Sequence, residues 1–299
     1  MTGAEKGFLL LTSTLGNPER KPLTLHQMSI LGQRVRSSDF SMQDRELVVQ
    51  DMISLGYGRE MAERIVALLN EEALLEHYLR KAQRSGCGPL TKISKGFPER
   101  LQERLAGECP RCLWIKGDVD LLAGPKIALV GSRDIGPEQL QFAEEVGIQA
   151  AKQGFTLVSG NARGADRAAQ NACLEHGGSI ICVVADELSK QTAHERILYL
   201  SEEGFDREFS AQRALLRNRI IHALGDKTFV AQASLHRGGT WDGTVKNLQY
   251  GWSPVFCYDD GSEAAAALEE MGAKPIKKQL LADLQLLQGD ISNFLSNDA

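Results

Sequence analysis

Two periodicities divide the chain. Over the first 83 residues apolar positions recur at helical spacing, most clearly in DMISLGYGREMAERIVALLNEEALLEHYL, where only Leu55-Gly56-Tyr57-Gly58 breaks the pattern. From Lys126 onward, short apolar runs alternate with longer segments of helical period. Strands are predicted at 126–130, 155–159, 179–185, 228–233 and 254–258, and helices at 137–153, 164–176, 211–224 and 240–250. Runs this continuous suit strands covered on both faces. Their alternation with helices predicts an α/β fold on a doubly wound parallel sheet. Residues 84–125, with Pro89, Pro98 and Pro110, lead into that sheet. The chain is therefore expected to comprise a helical region at 1–83, an α/β core at 84–275 and a C-terminal segment at 276–299. In this last segment Leu280, Leu284, Leu287, Ile291 and Phe294 form one stripe, which predicts an amphipathic helix packed on the core or on a second subunit.

Composition narrows the class. Of 299 residues 42% are hydrophobic and 24% charged, as in an ordinary folded protein. No run approaches the roughly 18 apolar residues of a membrane span. The early Phe8-Leu9-Leu10-Leu11 run is too short for an export signal. Six cysteines without such a signal read as reduced thiols, so a soluble, cytoplasmic protein is expected.

The net charge of −5 is unevenly placed. Residues 259–299 hold eight acids against three lysines, which leaves 1–258 balanced. Within that part, residues 204–239 hold six basic residues against three acids. A broadly basic coat for duplex DNA is excluded; a local cationic pocket is not.

Three glycine-rich turns stand where predicted strands end. They are Val130-Gly131-Ser132-Arg133-Asp134-Ile135-Gly136, Ser159-Gly160-Asn161-Ala162-Arg163-Gly164-Ala165-Asp166 and Arg237-Gly238-Gly239-Thr240. Ligands of doubly wound sheets bind beyond the carboxyl ends of the strands. Glycine lets the backbone approach an anion, and the following helix supplies amides and a positive dipole end. Arg133 and Arg163 can each fork two hydrogen bonds onto a phosphate. Three such turns point to phosphate binding.

Missing motifs restrict the ligand. Gly131 and Gly136 have Walker spacing, but Pro137-Glu138 follows in place of Lys-Ser/Thr. Neither a Gly-x-Gly-x-x-Gly fingerprint nor a Gly-x-Ser-x-Gly elbow occurs. In SAQRALLRNRIIHALG, Ile220 and Ile221 are expected to pack while Arg213 and Arg217 project. The Gly56-Tyr57-Gly58 turn resembles a helix-hairpin-helix, of the kind found in SAM-like modules; the same turn also serves hairpins that bind nothing.

The ordered series GSR, SGxARGxD followed by Ala168-Ala169, Gly177-Gly178, Ser201-Glu202 and Arg217-Asn218-Arg219-Ile220-Ile221 resembles the DNA-processing protein A (DprA/Smf) family. FPERLQERLAGECPRCLWIKGD is similar to the family's lead-in. The resemblance spans roughly residues 45–260. It implies a Rossmann-like core that binds single-stranded DNA, protects it and passes it to a RecA-type recombinase during natural transformation, as a homodimer. Carried over by position, it implies a DNA site of Gly131, Ser132, Arg133, Ser159, Gly160, Arg163, Gly164, Arg217, Asn218 and Arg219, with Arg133, Arg163, Arg217 and Arg219 on phosphates. The third turn adds Arg237, Gly239 and Thr240. Two segments depart from the family pattern: ADELSKQTAHERI replaces a Tyr-Pro step, and HRGGTWDGTVKN replaces a Ser-Gly-Ser/Thr segment. No winged-helix segment is expected after the core.

Asp166, at a helix start, reads as a cap for amides or an orienting partner for an arginine. Trp241 either stacks on a base or packs beneath its loop; Trp114 and Trp252 read as core. Cys109-Pro-Arg-Cys112 is half a zinc motif without its other half. No catalytic residue, metal or cofactor is expected. The competing reading is a nucleotide-sensing or phosphoribohydrolase-like protein of similar fold. Its Pro-Gly-Gly-x-Gly-Thr-x-x-Glu loop is only loosely matched by Gly238–Thr244, with no glutamate to follow.

Overall fold

Side chains along the central strands alternate between two apolar layers, and this alternation sets the architecture. Ile127 and Leu129 enter one layer while Ala128 and Val130 enter the other; Leu157 and Val158, Cys182 and Ile181, Phe229 and Val230 divide in the same way. Strands buried on both faces need helices on both. The computed structural model describes residues 1–38 and 46–287.

The N-terminal region contributes α1 (Gly3–Thr12), α2 (Leu25–Arg36), α3 (Val49–Ser54), α4 (Arg59–Leu69) and α5 (Glu72–Arg84). There follow β1 (Gly88–Thr91), α6 (Glu99–Leu105), β2 (Cys112–Gly117), β3 (Lys126–Val130), α7 (Pro137–Lys152), β4 (Thr156–Ser159) and α8 (Ala165–Glu175). The chain continues through β5 (Ile180–Val183), β6 (Ile197–Ser201), α9 (Ala211–Leu216), α10 (Asn218–Leu224) and β7 (Lys227–Val230). It closes with α11 (Gly238–Tyr250), β8 (Val255–Tyr258), α12 (Glu263–Glu270) and β9 (Lys274–Ile276).

One sheet takes these strands in the order β1-β2-β6-β5-β4-β3-β7-β8-β9. From β6 to β9 all neighbours are parallel, and β2 runs against both β1 and β6. The α/β class with a central sheet and flanking helices is thus as the periodicity predicts. Helices α7 and α8 pack on one face, where Phe142, Val146, Ala169 and Cys173 are fully buried. Helices α6, α10, α11 and α12 cover the other through Leu101, Ile220, Trp241 and Leu268. Burying each large side chain of this kind contributes about 1.5–3 kcal/mol.

The N-terminal helices have their own core of Leu11, Leu23, Met52, Leu55, Ile65 and Leu68. Leu9 and Leu10 of α1 and Leu75, Tyr78 and Ala82 of α5 instead join the α7–α8 layer of the sheet. Helices α3 and α4 meet at Leu55–Gly58 as a hairpin, with the Arg34 guanidinium 4.2 Å above the Tyr57 ring.

Several elements differ from the sequence pattern. Strands β1, β2 and β9 carry Gly, Pro or Lys at or near the sheet edges, which hides their strand character. Fully buried β6 directly follows a polar stretch. The predicted helix 211–224 is two helices that meet at Arg217. Of the predicted C-terminal amphipathic helix, Lys278–Ala282 is a 3₁₀ turn, Leu281 and Leu284 are buried, and Leu280 is exposed. Ile291 and Phe294 lie outside the described residues. Among the described residues no helix is long and apolar enough to cross a membrane.

Candidate nucleic-acid interface

After β3 the chain works outward through β4, β5 and β6, then returns to place β7 on the other side of β3. The carboxyl ends of β4, β3 and β7 are therefore neighbours at the point where strand order reverses. These ends carry the loops at 160–164, 131–136 and 231–237, which brings all three glycine-rich turns side by side.

Direct bonds lock the loops to one another. The Thr240 Oγ1 donates to the Gly131 carbonyl at 2.9 Å, joining the first turn of α11 to the loop after β3. The Gly136 amide donates to Gln232 Oε1 at 2.9 Å, and the Ala165 amide to the Ser132 carbonyl at 3.2 Å. Gly164 has φ +79°, and a Cβ there would lie 2.4 Å from the Ser132 carbonyl and 2.6 Å from that of Arg133. Only glycine lets the first two loops approach so closely. Two non-glycine residues at this edge, Asn161 (φ 58°) and His236 (φ 56°), also hold left-handed backbone conformations.

The predicted site residues fall into two groups. Arg133, Arg163 and Arg237 are exposed, one on each loop. The Arg133 guanidinium carbon lies 5.9 Å from the centre of the Phe209 ring, and that ring is 56% exposed. Half-buried Gly131, Ser132, Gly164, Gly239 and Thr240, with buried Gly160, supply the backbone beneath these arginines.

The second group serves the framework. Arg217, expected to project, is buried, with its guanidinium donating to the Gly160 and Val183 carbonyls. A Cβ on Gly160 would strike that guanidinium. Arg217 thereby brackets the ends of β4 and β5, and burial lowers its pKa against the opposing pull of Asp166. Asp166 accepts the Ala162 amide at 3.1 Å; burial raises its pKa, while Arg217 and the Ala162 and Gly160 amides oppose the rise. The Ser159 hydroxyl is fully buried and accepts from Gln170. Asn218 donates to the Gly239 carbonyl at 2.9 Å.

Arg219 bonds Glu202 and the Glu108 and Leu216 carbonyls, away from the loops. It lines a cleft of 1260 Å³ between the N-terminal helices, α9 and α11, whose wall also includes Asn218 and Gly239 at the third turn. Glu202 and Asp242 line the same cleft, whereas Arg133, Arg163 and Arg237 do not. Arg213, also expected to project, turns inward to the Ala185, Arg207 and Glu208 carbonyls at 2.7–2.9 Å and to the Ser201 hydroxyl at 3.0 Å. It also pairs with Glu203 at 3.0 Å.

Trp241 is packed beneath its loop, buried and edge-on to His236 at 5.0 Å. Cys109 and Cys112 are buried, and burial pushes both thiols up. Among the described residues no three His, Cys, Asp or Glu side chains gather to hold a metal ion. Phe209 and Gln232 escape the sequence reading. An isolated aromatic in the polar DREFSAQR run is the signal for Phe209; Gln232 gives none.

A doubly wound sheet with converging glycine loops and outward arginines gathers backbone amides and cations at its strand ends, chemistry suited to anionic groups. The family described as DNA recombination-mediator protein A matches residues 89–284, and the chain belongs to it. It is 36% identical over 141 residues to DNA processing protein DprA of Streptococcus pneumoniae, covering 44% of this chain and 50% of that protein. It thus spans half the length of this relative. Protein Smf of Borreliella burgdorferi is 27% identical over 220 residues, covering 67% of this chain and 68% of that protein. The X-ray structure of the pneumococcal DprA superimposes with a TM-score of 0.68 at 25% identity, over 92% of this chain and 95% of the other. DNA processing protein A of Helicobacter pylori, studied for its single-stranded DNA binding mode, gives 0.55 at 26% identity, over 66% and 94%.

Proposed function

We propose that this chain binds single-stranded DNA along the carboxyl edge of β4, β3 and β7. Arg133, Arg163 and Arg237 each take a phosphate, and the backbone of Gly131, Ser132, Gly160, Gly164, Gly239 and Thr240 shapes the floor. Arg217, Ser159 and Asn218 brace that floor, and Arg219 stands outside it. The observation that carries the reading is the convergence of three arginine-bearing loops at the point where the strand order reverses. Single-stranded DNA is favoured over duplex because a flexible backbone can follow a recessed edge, while residues 1–258 have no net charge to offer a rigid helix. The binding mode studied in the Helicobacter pylori relative points the same way. The α3–α4 hairpin is read as a packing element, since Met52, Ala62, Ile65 and Leu68 face its own core.

The protein acts by holding DNA and not by turning it over. It protects the strand and passes it to a RecA-type recombinase in DNA processing or transformation, working as a homodimer in the cytoplasm. Titration of a short single strand and a blunt duplex across a salt series tests the binding. The expected slope for the single strand is about −2, from ~0.7 per neutralised phosphate. Equal affinity for duplex at every salt concentration overturns the reading.

A further inference from the structure

The loop between β6 and α9 reaches the interface from a distant anchorage. Phe205 is fully buried between Tyr78 and Trp114, at ring separations of 4.8 and 5.2 Å. Next to it, Asp206 Oδ1 accepts the Tyr78 hydroxyl at 2.9 Å and Oδ2 accepts Lys81 Nζ at 2.8 Å. Tyr78 and Lys81 are three residues apart on α5, so one carboxylate grips two successive turns of that helix. Arg207 donates to Thr14 Oγ1 at 2.9 Å. Beyond these contacts Arg213 holds the Arg207 and Glu208 carbonyls, the Glu208 and Phe209 side chains turn outward and are exposed, and the Phe209 ring centre stands 5.9 Å from the Arg133 guanidinium carbon. Arginine on an exposed loop loses rotamer entropy when it grips a phosphate. An aromatic face that holds the guanidinium beforehand reduces this cost.

We propose that Asp206 is a positioning residue, which ties the β6–α9 loop to α5 so that Phe209 holds Arg133 ready for a phosphate. The proposal rests on the single-strand binding reading above. It makes the N-terminal helices part of the DNA site without contact to DNA. Asp206 is held ionised: burial works against its charge, but the Lys81 and Tyr78 hydrogen bonds outweigh it and lower its pKa.

A double-mutant cycle tests the relay. Asp206→Ala should raise the single-strand Kd about three- to tenfold, in the lower part of the range of couplings between residues sharing one network. It should also make the salt slope shallower by about 0.7, the loss of one phosphate contact. Asp206→Asn keeps an acceptor for Tyr78 and loses the attraction of Lys81, so its Kd should fall between those of wild type and Asp206→Ala. In an Arg133→Ala background, Asp206→Ala should add less than about twofold. Lys81→Met alters only a half-exposed side chain, and serves if Asp206→Ala does not fold; it should raise Kd about two- to fourfold. The positioning role is overturned if Arg133→Ala weakens binding while Asp206→Ala or its Lys81→Met substitute leaves Kd and slope unchanged. It is equally overturned if the Asp206→Ala effect is as large without Arg133 as with it. Should Arg133→Ala leave single-strand binding intact, the reading of the interface fails, and the positioning of Arg133 with it.

Discussion

Arginines assigned to one site have opposite duties, and burial separates them. Arg217 bonds two backbone carbonyls inside the sheet edge, whereas Arg133 lies on the surface. Removing Arg217 leaves both carbonyls unpaired and Asp166 without its neighbouring cation, a loss of about 2–4 kcal/mol. Arg217→Ala should therefore lower Tm clearly in a thermal melt. Arg133→Ala should leave Tm within a degree or two and weaken single-strand binding. Equal Tm for both variants would refute the division. His222 offers a pH test. It is fully buried, its Nδ1 accepts from Asn247 Nδ2 at 3.0 Å, and burial pushes its pKa down to about 3. The unfolded ring titrates near 6.5, so the unfolded chain takes up a proton that the folded chain refuses. This contribution is complete above about pH 6.5 and falls by up to ~1.4 kcal/mol per pH unit as pH drops toward the folded value. His222→Gln should flatten the decline of Tm between pH 6.5 and 4.5; an unchanged profile would assign the acid sensitivity elsewhere.

At the scale of elements, the junction of α9 and α10 shows a helix serving a tertiary demand. SAQRALLRNRII suits one helix, and Arg217 keeps a helical backbone at the junction (φ −67°, ψ −19°) while its side chain turns into the ends of β4 and β5. The approach of the first two loops makes a second such demand. Gly164→Ala would place a methyl against two carbonyls at a positive φ. Such a backbone costs roughly 1–3 kcal/mol for an L-residue before the clash is counted. The expected outcome is a lower Tm together with weaker single-strand binding, because the loop carrying Arg133 is displaced. Normal binding in this variant would show that the two loops need not touch.

For the whole molecule, the charge is negative overall while the cations that face solvent at the strand ends are local. Glu202 and Asp242 line the cleft beside Arg219, which Arg133, Arg163 and Arg237 do not enter, and Glu202 is paired with Arg219. A hydrolytic site needs its base beside the bound phosphate or ribose. Incubation with ATP or nucleoside monophosphates should accordingly release neither phosphate nor free base. Release that vanishes in Glu202→Gln or Asp242→Asn would identify the cleft as an active site.

Strands β3, β4, β5, β7 and β8, helices α7, α8 and α11, and the three glycine turns were legible in the sequence because each depends on local periodicity or backbone freedom. Strand β6, behind its polar stretch, was not, nor were β1, β2 and β9, at or next to the sheet edges, which hydrogen bonds from distant neighbours stabilise despite glycine, proline and lysine. The direction of a long side chain was equally hidden. Arg133 and Arg217 are alike in sequence, and only the folded surroundings send one to solvent and the other to buried carbonyls. Sequence alone determined the α/β class and which loops carry the arginines. Tertiary structure decided which arginines remain free, because strand order places those loops together and burial commits the rest.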